Sequence, residues 1–337
     1  MSKVFVIAEA GANHNRDFDQ AKALIDVAAA AGADAVKFQT YSSETLYSAH
    51  TPDFAGYKNI NKLIKDIELP RNWQADLKSY CDDQGIEFLC TPFDEQAVEE
   101  LYHIGVKRYK IAGFEATDPR FVKCVASTSL PLIITSGIGS NVDMVRNIVG
   151  WVRDVNSNAD ITILHGNNAY PTPFEDAGLN QIDRLRESVP GINVGLSDHT
   201  PGILVPPMAV AKGATTIEKH YTLSQLLPGP DHPFAIEPTQ LREMIKNIRT
   251  AEVVCQGKTG NLSPSEEGFT MAMRSVVTKK AIKEGALITT DNITTKRPLL
   301  EDSIPALEYY VTLGTCATRD MEADHIVRRT DIICKEE

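Results

Sequence analysis

The fold is decided by residues 4–39, VFVIAEAGANHNRDFDQAKALIDVAAAAGADAVKFQ. This stretch begins and ends with short apolar runs of strand character, VFVIAE (4–9) and AVKFQ (35–39). Between them, apolar residues recur at helical spacing as far as Gly32, a typical helix-ending residue. A strand, a helix and a second strand in this order predict a βαβ unit with parallel strands.

The same alternation continues along the chain. Further predicted strands are EFLCT (87–91), RYKIA (108–112), LIITSG (132–137), ITILHG (161–166), INVGLS (192–197) and TTIEKH (215–220). Eight such units in about 250 residues are typical of a closed (β/α)₈ TIM barrel, which places the chain in the α/β class. A doubly wound open sheet is the alternative, but no G-x-G-x-x-G turn follows the first strand.

The composition of the sequence changes after the helical stretch that ends near Gln256. GKTGNLSPSEEG (257–268) is rich in Gly, Ser and Pro, and the residues that follow read as short strands around turns. We therefore predict a barrel domain at 1–256, a linker at 257–274 and a second, small domain at 275–337.

Composition narrows the possible functions. With 42% hydrophobic and 23% charged residues, the 337-residue chain is typical of soluble globular proteins, and a net charge of −11 argues against nucleic-acid binding. We expect no membrane span, because no apolar run approaches the ~20 residues that crossing a bilayer requires. We expect no signal peptide either. Six scattered cysteines without a C-x-x-C pair predict reduced thiols and a cytoplasmic protein: Cys81, Cys90, Cys124, Cys255, Cys316 and Cys334.

Every predicted strand ends in polar residues. In a barrel of this type the C-terminal ends of the strands build the active site, so these side chains are expected to converge. Each residue taken alone could be a solvated or capping group. The convergent set consists of Glu9, Lys37, Gln39, Thr91, Lys110, Ser136, His165, Asn167, Asn168, Ser197, His199, Glu218 and His220.

Two lysines in this set predict an anion site. Lys37 and Lys110 would repel each other in one cavity unless an anion such as phosphate or carboxylate lay between them. The alternative is that each lysine pairs with a nearby carboxylate, and Glu9 and Glu115 are available. Three hydroxyls belong to the same predicted site: Thr91, Ser136 and Ser197.

Two histidines predict a metal site. His199 and His220 finish neighbouring predicted strands, and two imidazoles suit Mn²⁺ better than Mg²⁺, which prefers oxygen ligands. Asp198 would support them from behind or cap a helix. Two Pro-rich loops, NNAYPTPFED (167–176) and PGPDH (228–232), are suited to hydrogen-bonding a polyol, although either could be an ordinary turn.

Taken together, the motifs resemble one known family. IAEAGANHN, GADAVKFQT, TPFD, YKIAGFE, YPTP, GLSDHTPG, IEKHYTL and PGPDH are similar, in order and spacing, to motifs of the sialic acid (N-acetylneuraminate) synthases, a family that also makes legionaminic and pseudaminic acids. The resemblance runs from about residue 4 to the C-terminus. It includes the small domain, which resembles the antifreeze-protein-like (SAF) domain of those enzymes.

The resemblance implies a transferase that condenses phosphoenolpyruvate with an open-chain N-acylated hexosamine, such as N-acetylmannosamine, and releases phosphate. It implies that His199 and His220 bind a divalent metal, Mn²⁺ or otherwise Mg²⁺ or Co²⁺. The implied phosphoenolpyruvate contacts are Lys37, Thr91, Lys110, Asn168, Ser197 and His199. The residues implied to hold the sugar and exchange protons are Glu9, Tyr170 and Asp231.

Two further roles concern the water step and the tail. Glu115, or else Glu9, is expected to help water add to the oxocarbenium-like centre. Arg297 of KRP resembles an arginine that reaches over the barrel mouth of the other subunit, which implies a domain-swapped homodimer.

The chain departs from the family pattern at two places. Gly113 replaces the usual Ser before the acidic residue in KIAGFE, which removes one hydroxyl contact to phosphoenolpyruvate. KRPLLEDSIPALEYY lacks the usual Gly-rich turn after KRP, which leaves the direction of Arg297 open.

Two other functions are consistent with parts of the sequence. One is a Schiff-base aldolase with Lys110 or Lys37 as the nucleophile. The other is a carbohydrate- or ice-binding protein that uses the tail domain. The motifs do not decide which hexosamine, and hence which nonulosonate, a synthase would use.

Overall fold

The chain forms two compact units, Met1–Gly257 and Lys258–Glu337. The computed structural model describes residues 3–54, 56, 58–257, 260 and 262–334. Residues 258, 259 and 261 of the predicted linker lie outside the described residues.

The first unit is the predicted barrel. Its eight strands are parallel, with the hydrogen-bonded order β3-β2-β1-β8-β7-β6-β5-β4, and β3 and β4 lie next to each other, so the two edges of the sheet meet. The predicted (β/α)₈ architecture is confirmed. The strands are β1 (Phe5–Glu9), β2 (Ala35–Thr40), β3 (Glu87–Pro92), β4 (Tyr109–Ile111), β5 (Leu132–Thr135), β6 (Ile161–Gly166), β7 (Asn193–Asp198) and β8 (Thr216–His220).

Helices surround these strands. They are α1 (Phe18–Ala31), α2 (Ile60–Ile67), α3 (Gln74–Asp83), α4 (Glu95–His103), α5 (Pro119–Ala126), α6 (Val142–Val155), α7 (Asn180–Ser188), α8 (Val205–Ala211) and α9 (Pro238–Cys255). The Asp17 side chain caps α1 by accepting from two backbone N–H groups, and Gly32 ends it with φ +85°. Across the described ranges, every helix is too short or too polar to span a bilayer.

The alternation of side chains along the strands positions the site. A buried apolar layer fills the barrel interior: Ile7, Ala35, Leu89, Ile133 and Leu164. Because side chains alternate with a period of two, the residues two positions further along these strands point the same way. Those residues are Glu9, Lys37, Thr91, Thr135 and Gly166. The barrel interior is therefore apolar in the first layer and mostly polar in the next, which is nearer the C-terminal ends of the strands.

The second unit has its own small core. It contains an antiparallel pair, β9 (Ser275–Thr278) and β10 (Ile293–Lys296), the short helix α10 (Tyr309–Thr312) and a second pair, β11 (Cys316–Ala317) and β12 (Ile332–Ile333). Its buried apolar residues are Val276, Ile282, Ile288, Ile293, Ile304, Ala317, Met321 and Val327. Arg297 follows β10 in this unit.

Candidate active site

A cavity of about 610 Å³ lies where the C-terminal ends of the barrel strands meet. This size is typical of a small-molecule site. The predicted site residues that line it are Lys37, Gln39, Lys110, Glu115, Asn168, Tyr170, Ser197, His199, Glu218, His220 and Asp231. The sequence-based expectation of convergence at this edge therefore agrees with the geometry for most of the set.

Four buried charged side chains form what we call the ionic floor: Glu9, Lys37, Lys110 and Glu218. Lys37 Nζ lies 2.7 Å from Glu9 Oε2 and 3.5 Å from Glu218 Oε2. Lys110 Nζ lies 3.0 Å from Glu218 Oε1. Each lysine thus pairs with a carboxylate, which is the alternative that the sequence left open. The partners are Glu9 and Glu218 rather than Glu115, and sequence reasoning gave Glu218 no role.

Burial and pairing compete in setting the charges of the floor. Burial alone would lower the pKa of Lys37, but Glu218 and Glu9 raise it to about 12. Lys110 and Lys37 outweigh burial at Glu218 and hold the pKa of that carboxyl well below its usual range. Burial raises the pKa of Glu9 to about 7, against the opposing effect of Lys37. Protonation of Glu9 leaves the floor with an excess positive charge, which suits it to an anion.

The predicted hydroxyls divide between the cavity and its surroundings. Ser197 lines the cavity and donates to Glu218 Oε1 at 2.9 Å, whereas Thr91 lies beneath it and accepts from Lys37 Nζ at 3.1 Å. At the end of β5, Thr135 lines the cavity and Ser136 does not. Ser136 is two residues beyond Ile134, so it points to the same side as that residue, toward the main core and away from the cavity. The Thr135 hydroxyl is buried without a hydrogen-bond partner among the described residues.

The two predicted histidines lie side by side. The ring centroids of His199 and His220 are 5.4 Å apart. His199 Nδ1 lies 2.6 Å from the Asn167 carbonyl oxygen, which can only accept, so Nδ1 carries the proton and Nε2 keeps its lone pair. His220 Nδ1 is buried and has no hydrogen-bond partner within the described part of the chain. Burial lowers the pKa of His199 to about 4 and that of His220 well below its usual range, so both imidazoles are neutral.

Neutral imidazoles with free lone pairs fit a divalent metal. In the part of the chain that the structure describes, no group of three or more His, Cys, Asp or Glu side chains is arranged to hold such an ion. An ion held by these two imidazoles would have positions open to substrate oxygens and water, as a catalytic metal requires.

Asp198 faces away from the cavity and links the two histidine-bearing strands. Its Oδ2 lies 2.6 Å from Lys219 Nζ, and its Oδ1 accepts from the backbone and hydroxyl of Thr200. Asp198 immediately precedes His199, and Lys219 immediately precedes His220. This buried ion pair therefore links the ends of β7 and β8, beside the two residues that carry the imidazoles.

Two carboxyl groups at the cavity wall favour the protonated state more than usual. Burial raises the pKa of Glu115 to about 7, and its Oε2 is buried with no hydrogen-bond partner in the described ranges. Burial also raises the pKa of Asp231, whose Oδ2 accepts from the backbone N–H of Ala12 at 3.1 Å. With a pKa of about 7, Glu115 can exchange a proton near neutral pH.

Gly113 lies where a side chain would crowd the wall. A Cβ at this position would stand 3.1 Å from the Ser136 carbonyl oxygen and 3.3 Å from Asn168 Nδ2.

Arg297 belongs to the second unit, so its predicted reach over a barrel mouth stays a prediction. Glu9, predicted to hold the sugar, is fully buried beneath Lys37 and does not line the cavity.

The upper half of the cavity is apolar, and sequence reasoning missed it. We call this part of the cavity lining the apolar lobe, and it consists of Tyr41, Leu46, Tyr47, Phe54, Ile60, Leu63, Ile64, Ile67 and Phe93. Most of it comes from the connection between β2 and α3, which includes α2. A signal was present, since INKLIKDI (60–67) repeats apolar residues at i, i+3, i+4 and i+7.

Comparison with known proteins identifies the family. The model of the NeuB family matches residues 24–259, and that of the SAF domain matches residues 273–333. The N,N'-diacetyllegionaminic acid synthase of Campylobacter jejuni is 33% identical over 97% of this chain and 100% of its own length. A pseudaminic acid synthase of the same species is 31% identical over 98% of this chain and 96% of its own length.

A solved structure agrees with these relatives. The crystal structure of the N-acetylneuraminic acid synthetase of Leptospira borgpetersenii, in complex with citrate, superposes with a TM-score of 0.72 and 32% identity, covering 80% of this chain and 90% of that one. The resemblance predicted from the motifs is confirmed. The chain belongs to the NeuB family and is a synthase in which a TIM barrel is followed by a SAF domain.

Proposed function

We propose that the chain condenses phosphoenolpyruvate with the open-chain aldehyde of an N-acylated hexosamine, giving a nonulosonic acid and inorganic phosphate. The observation that carries this proposal is the juxtaposition of two buried lysines with two neutral histidines at one end of a single cavity. The lysines suit an anionic substrate, and the histidines suit an ion that activates a carbonyl.

Phosphoenolpyruvate would bind at the ionic floor. Lys37 and Lys110 would face its phosphate and carboxylate, and Thr135 would donate to an oxygen of the substrate. Ser197 would donate as well if its hydroxyl turned from Glu218 Oε1 to the substrate. The Thr135 hydroxyl supports this placement because it is buried without a partner at the cavity wall, among the described residues. Such fixed donors stabilise the charge that moves between enol and phosphate during the reaction.

The proposed reaction forms one carbon–carbon bond and breaks the C–O bond to phosphate. The π electrons of the enol form a bond from its methylene carbon to the aldehyde carbon, and the aldehyde oxygen takes a proton from Asp231. Water adds to the resulting oxocarbenium carbon and gives a proton to Glu115. The tetrahedral adduct then loses phosphate by cleavage of its C–O bond. The hydroxyl proton passes to the departing phosphate as the keto group forms, and the proton held by Glu115 returns through solvent to Asp231.

His199 and His220 would hold a divalent ion, which we propose to be Mn²⁺, with Mg²⁺ or Co²⁺ as alternatives. When bound, such an ion supplies Lewis acidity toward the aldehyde oxygen. The Asn167 carbonyl orients the His199 ring, and the Lys219–Asp198 pair holds the loop that carries it.

A phosphate-release assay tests the proposal. Purified protein, phosphoenolpyruvate and Mn²⁺ are incubated in turn with N-acetylmannosamine, its 6-phosphate and 2,4-diacetamido hexoses. Released phosphate is measured, and the products are identified by mass spectrometry. We expect phosphate and a nine-carbon acid with at least one sugar, and loss of both after EDTA treatment. Release with none of the sugars, or a borohydride-trapped lysine adduct together with resistance to EDTA, would contradict it.

We also propose a cytoplasmic homodimer in which Arg297 of one copy completes the barrel site of the other. Mixing an Arg297→Ala protein with a Lys110→Met protein tests this arrangement. Mixed dimers contain one site with both residues intact, so activity should reappear on mixing. A monomer in solution, or no complementation in mixed dimers isolated with two affinity tags, would contradict it.

A further inference from the structure

We infer that His232 is a positioning residue, which holds the Asp231 carboxyl group at the point where the aldehyde oxygen of the acceptor takes its proton. His232 is fully buried and, unlike its neighbour Asp231, does not line the cavity. It would therefore act through Asp231 and not by touching substrate. This inference rests on the proposed function, because it concerns the proton donor of the same reaction.

The imidazole of His232 joins two segments that follow barrel strands. Its Nδ1 lies 2.6 Å from Thr222 Oγ1, just beyond β8, and its Nε2 lies 3.3 Å from Asn15 Oδ1, in the loop that follows β1. The amide oxygen of Asn15 can only accept, so Nε2 carries the proton and Nδ1 accepts from the Thr222 hydroxyl. Burial lowers the pKa of His232, which favours this neutral form of the ring. Both ring nitrogens are thus used to fix the orientation of the side chain.

The loop that carries Asp231 depends on side chains for its attachment. Pro228 and Pro230 have no backbone N–H, so neither can donate a backbone hydrogen bond to a neighbouring strand. Further along the chain, the N–H of Ile236 donates to the carbonyl oxygen of His220 at 3.0 Å. The ring of His232 therefore attaches the loop to the end of β8 at a point next to Asp231.

The chain also packs tightly around the ring. Gly229 has φ +144°, and a Cβ there would stand 2.8 Å from His232 Cδ2 and 3.0 Å from Asn15 Oδ1. A side chain at this position would displace the ring or the amide. Packing and hydrogen bonding therefore confine the imidazole to one place.

The carboxyl group of Asp231 lies against the backbone that follows β1. Its Oδ2 accepts from the N–H of Ala12 at 3.1 Å. A Cβ at Gly11 would stand 2.6 Å from the same oxygen and 3.3 Å from His220 Nδ1, so the carboxyl group and that imidazole border one point. A single hydrogen bond leaves the carboxyl group free to turn about it. Its direction is then set by the backbone of the loop, which His232 holds in the next residue.

A double-variant comparison tests this role. His232→Phe keeps a ring of similar size and removes both hydrogen bonds, Asp231→Ala removes the carboxyl group, and a third protein carries both changes. Each is assayed by phosphate release at saturating phosphoenolpyruvate with N-acetylmannosamine, its 6-phosphate and a 2,4-diacetamido hexose. We expect His232→Phe to lower kcat by about 10- to 100-fold, as is usual when a reacting group moves by about 1 Å, with KM for phosphoenolpyruvate unchanged.

The two changes should not multiply. If His232 acts through Asp231, His232→Phe costs no further kcat once the carboxyl group has been removed. A residue with a general effect on the fold would instead lower kcat by the same factor in both backgrounds. Thermal melting of each variant shows separately whether the fold is retained.

Milder variants serve if His232→Phe does not fold. Thr222→Val removes only the hydroxyl that donates to Nδ1 and should lower kcat by about tenfold. His232→Gln keeps a donor near the position of Nε2, so it should lose less activity than His232→Phe. The matched control is Tyr221→Phe, which removes the buried hydroxyl that donates to the Leu24 carbonyl oxygen at 2.7 Å, and should leave kcat unchanged.

The outcomes separate this inference from the proposed function. Equal losses in the two backgrounds, or wild-type kcat in both His232→Phe and Thr222→Val, contradict the inference and leave the synthase activity in place. Full activity in Asp231→Ala also contradicts it, since His232 would then have no proton donor to position. Release by the wild type with none of the three sugars contradicts both.

Discussion

The ionic floor and the apolar lobe lie in one cavity but have different origins in the chain. The floor is made by inward-facing residues of separate barrel strands, where each side chain is fixed by strand register and by its ion pairs. The lobe is made mainly by one connection, between β2 and α3, and is held by apolar packing. The strands therefore carry the charged groups of the cavity, and one connection carries most of its apolar wall.

The largest effect should come from removing a cation of the floor. Lys110→Met should lower kcat by about 10³-fold, because a fixed positive charge that faces the transition state is lost. Glu218 keeps Lys37 as a partner in this variant, so the fold should survive. Steady-state phosphate release measures the change, and Lys123→Met, at an exposed lysine paired with Asp154, is the control. Activity within tenfold of the wild type would argue against a role for Lys110.

A large loss of stability should follow removal of a floor carboxylate. Glu218→Gln leaves two buried lysines with Glu9 alone and should lower the free energy of unfolding by about 3–5 kcal/mol. Because the folded-state pKa of Glu218 is lowered, this difference should be present above the ordinary value of 4.5 and should diminish as the pH falls.

Urea unfolding at several pH values measures this difference. The double variant Lys110→Met/Glu218→Leu removes a balanced pair and should recover much of the stability but none of the activity. Equal destabilisation in the single and double variants would contradict the pairing account.

The pH dependence of kcat/KM tests the water step. Glu115 must be deprotonated to accept a proton, and burial raises its pKa to about 7, so the rate should rise as the pH passes that value. Asp231 must be protonated to donate, and burial raises its pKa, so the rate should fall again where Asp231 loses its proton. Glu115→Gln should lower the rate by about 10²-fold and abolish this rise. A rise that persists in Glu115→Gln would instead point to Glu9, whose pKa burial also raises to about 7.

A small effect is expected at Gly113. A Cβ there approaches Ser136 and Asn168 closely enough that Asn168 must shift by a few tenths of an ångström. Gly113→Ala should therefore raise KM for phosphoenolpyruvate. Gly113→Ser should regain about fivefold relative to Ala, which corresponds to the ~1 kcal/mol typical of one added hydrogen bond. Identical KM values for the two variants would show that the added hydroxyl does not reach the substrate.

Sequence patterns predicted most of the floor because barrel topology converts local order into spatial convergence. Each polar residue that ends a strand must reach the same edge, so Lys37, Lys110 and the two histidines could be placed together without any long-range information. The choice of Ser136 over Thr135 shows the limit of this reasoning. Which of two adjacent residues faces inward depends on the register of β5, and both carry hydroxyls.

The apolar lobe could not be placed in the same way. The stripe on α2 predicts an amphipathic helix, but it does not say whether that helix packs on the barrel or over its mouth. Glu218 illustrates a second limit, since a carboxylate that ends a strand is ambiguous until its two lysine partners are located. Ion pairing across the barrel is a property of the tertiary structure alone.

The most direct test of the central claim is mass spectrometry of a reaction run in water labelled with heavy oxygen. The synthase should convert phosphoenolpyruvate and a 2,4-diacetamido hexose to a nonulosonic acid, and the released phosphate should stay unlabelled because the C–O bond is cleaved. Labelled phosphate accompanied by pyruvate, with no nine-carbon product, would show simple hydrolysis and would contradict carbon–carbon bond formation at this site.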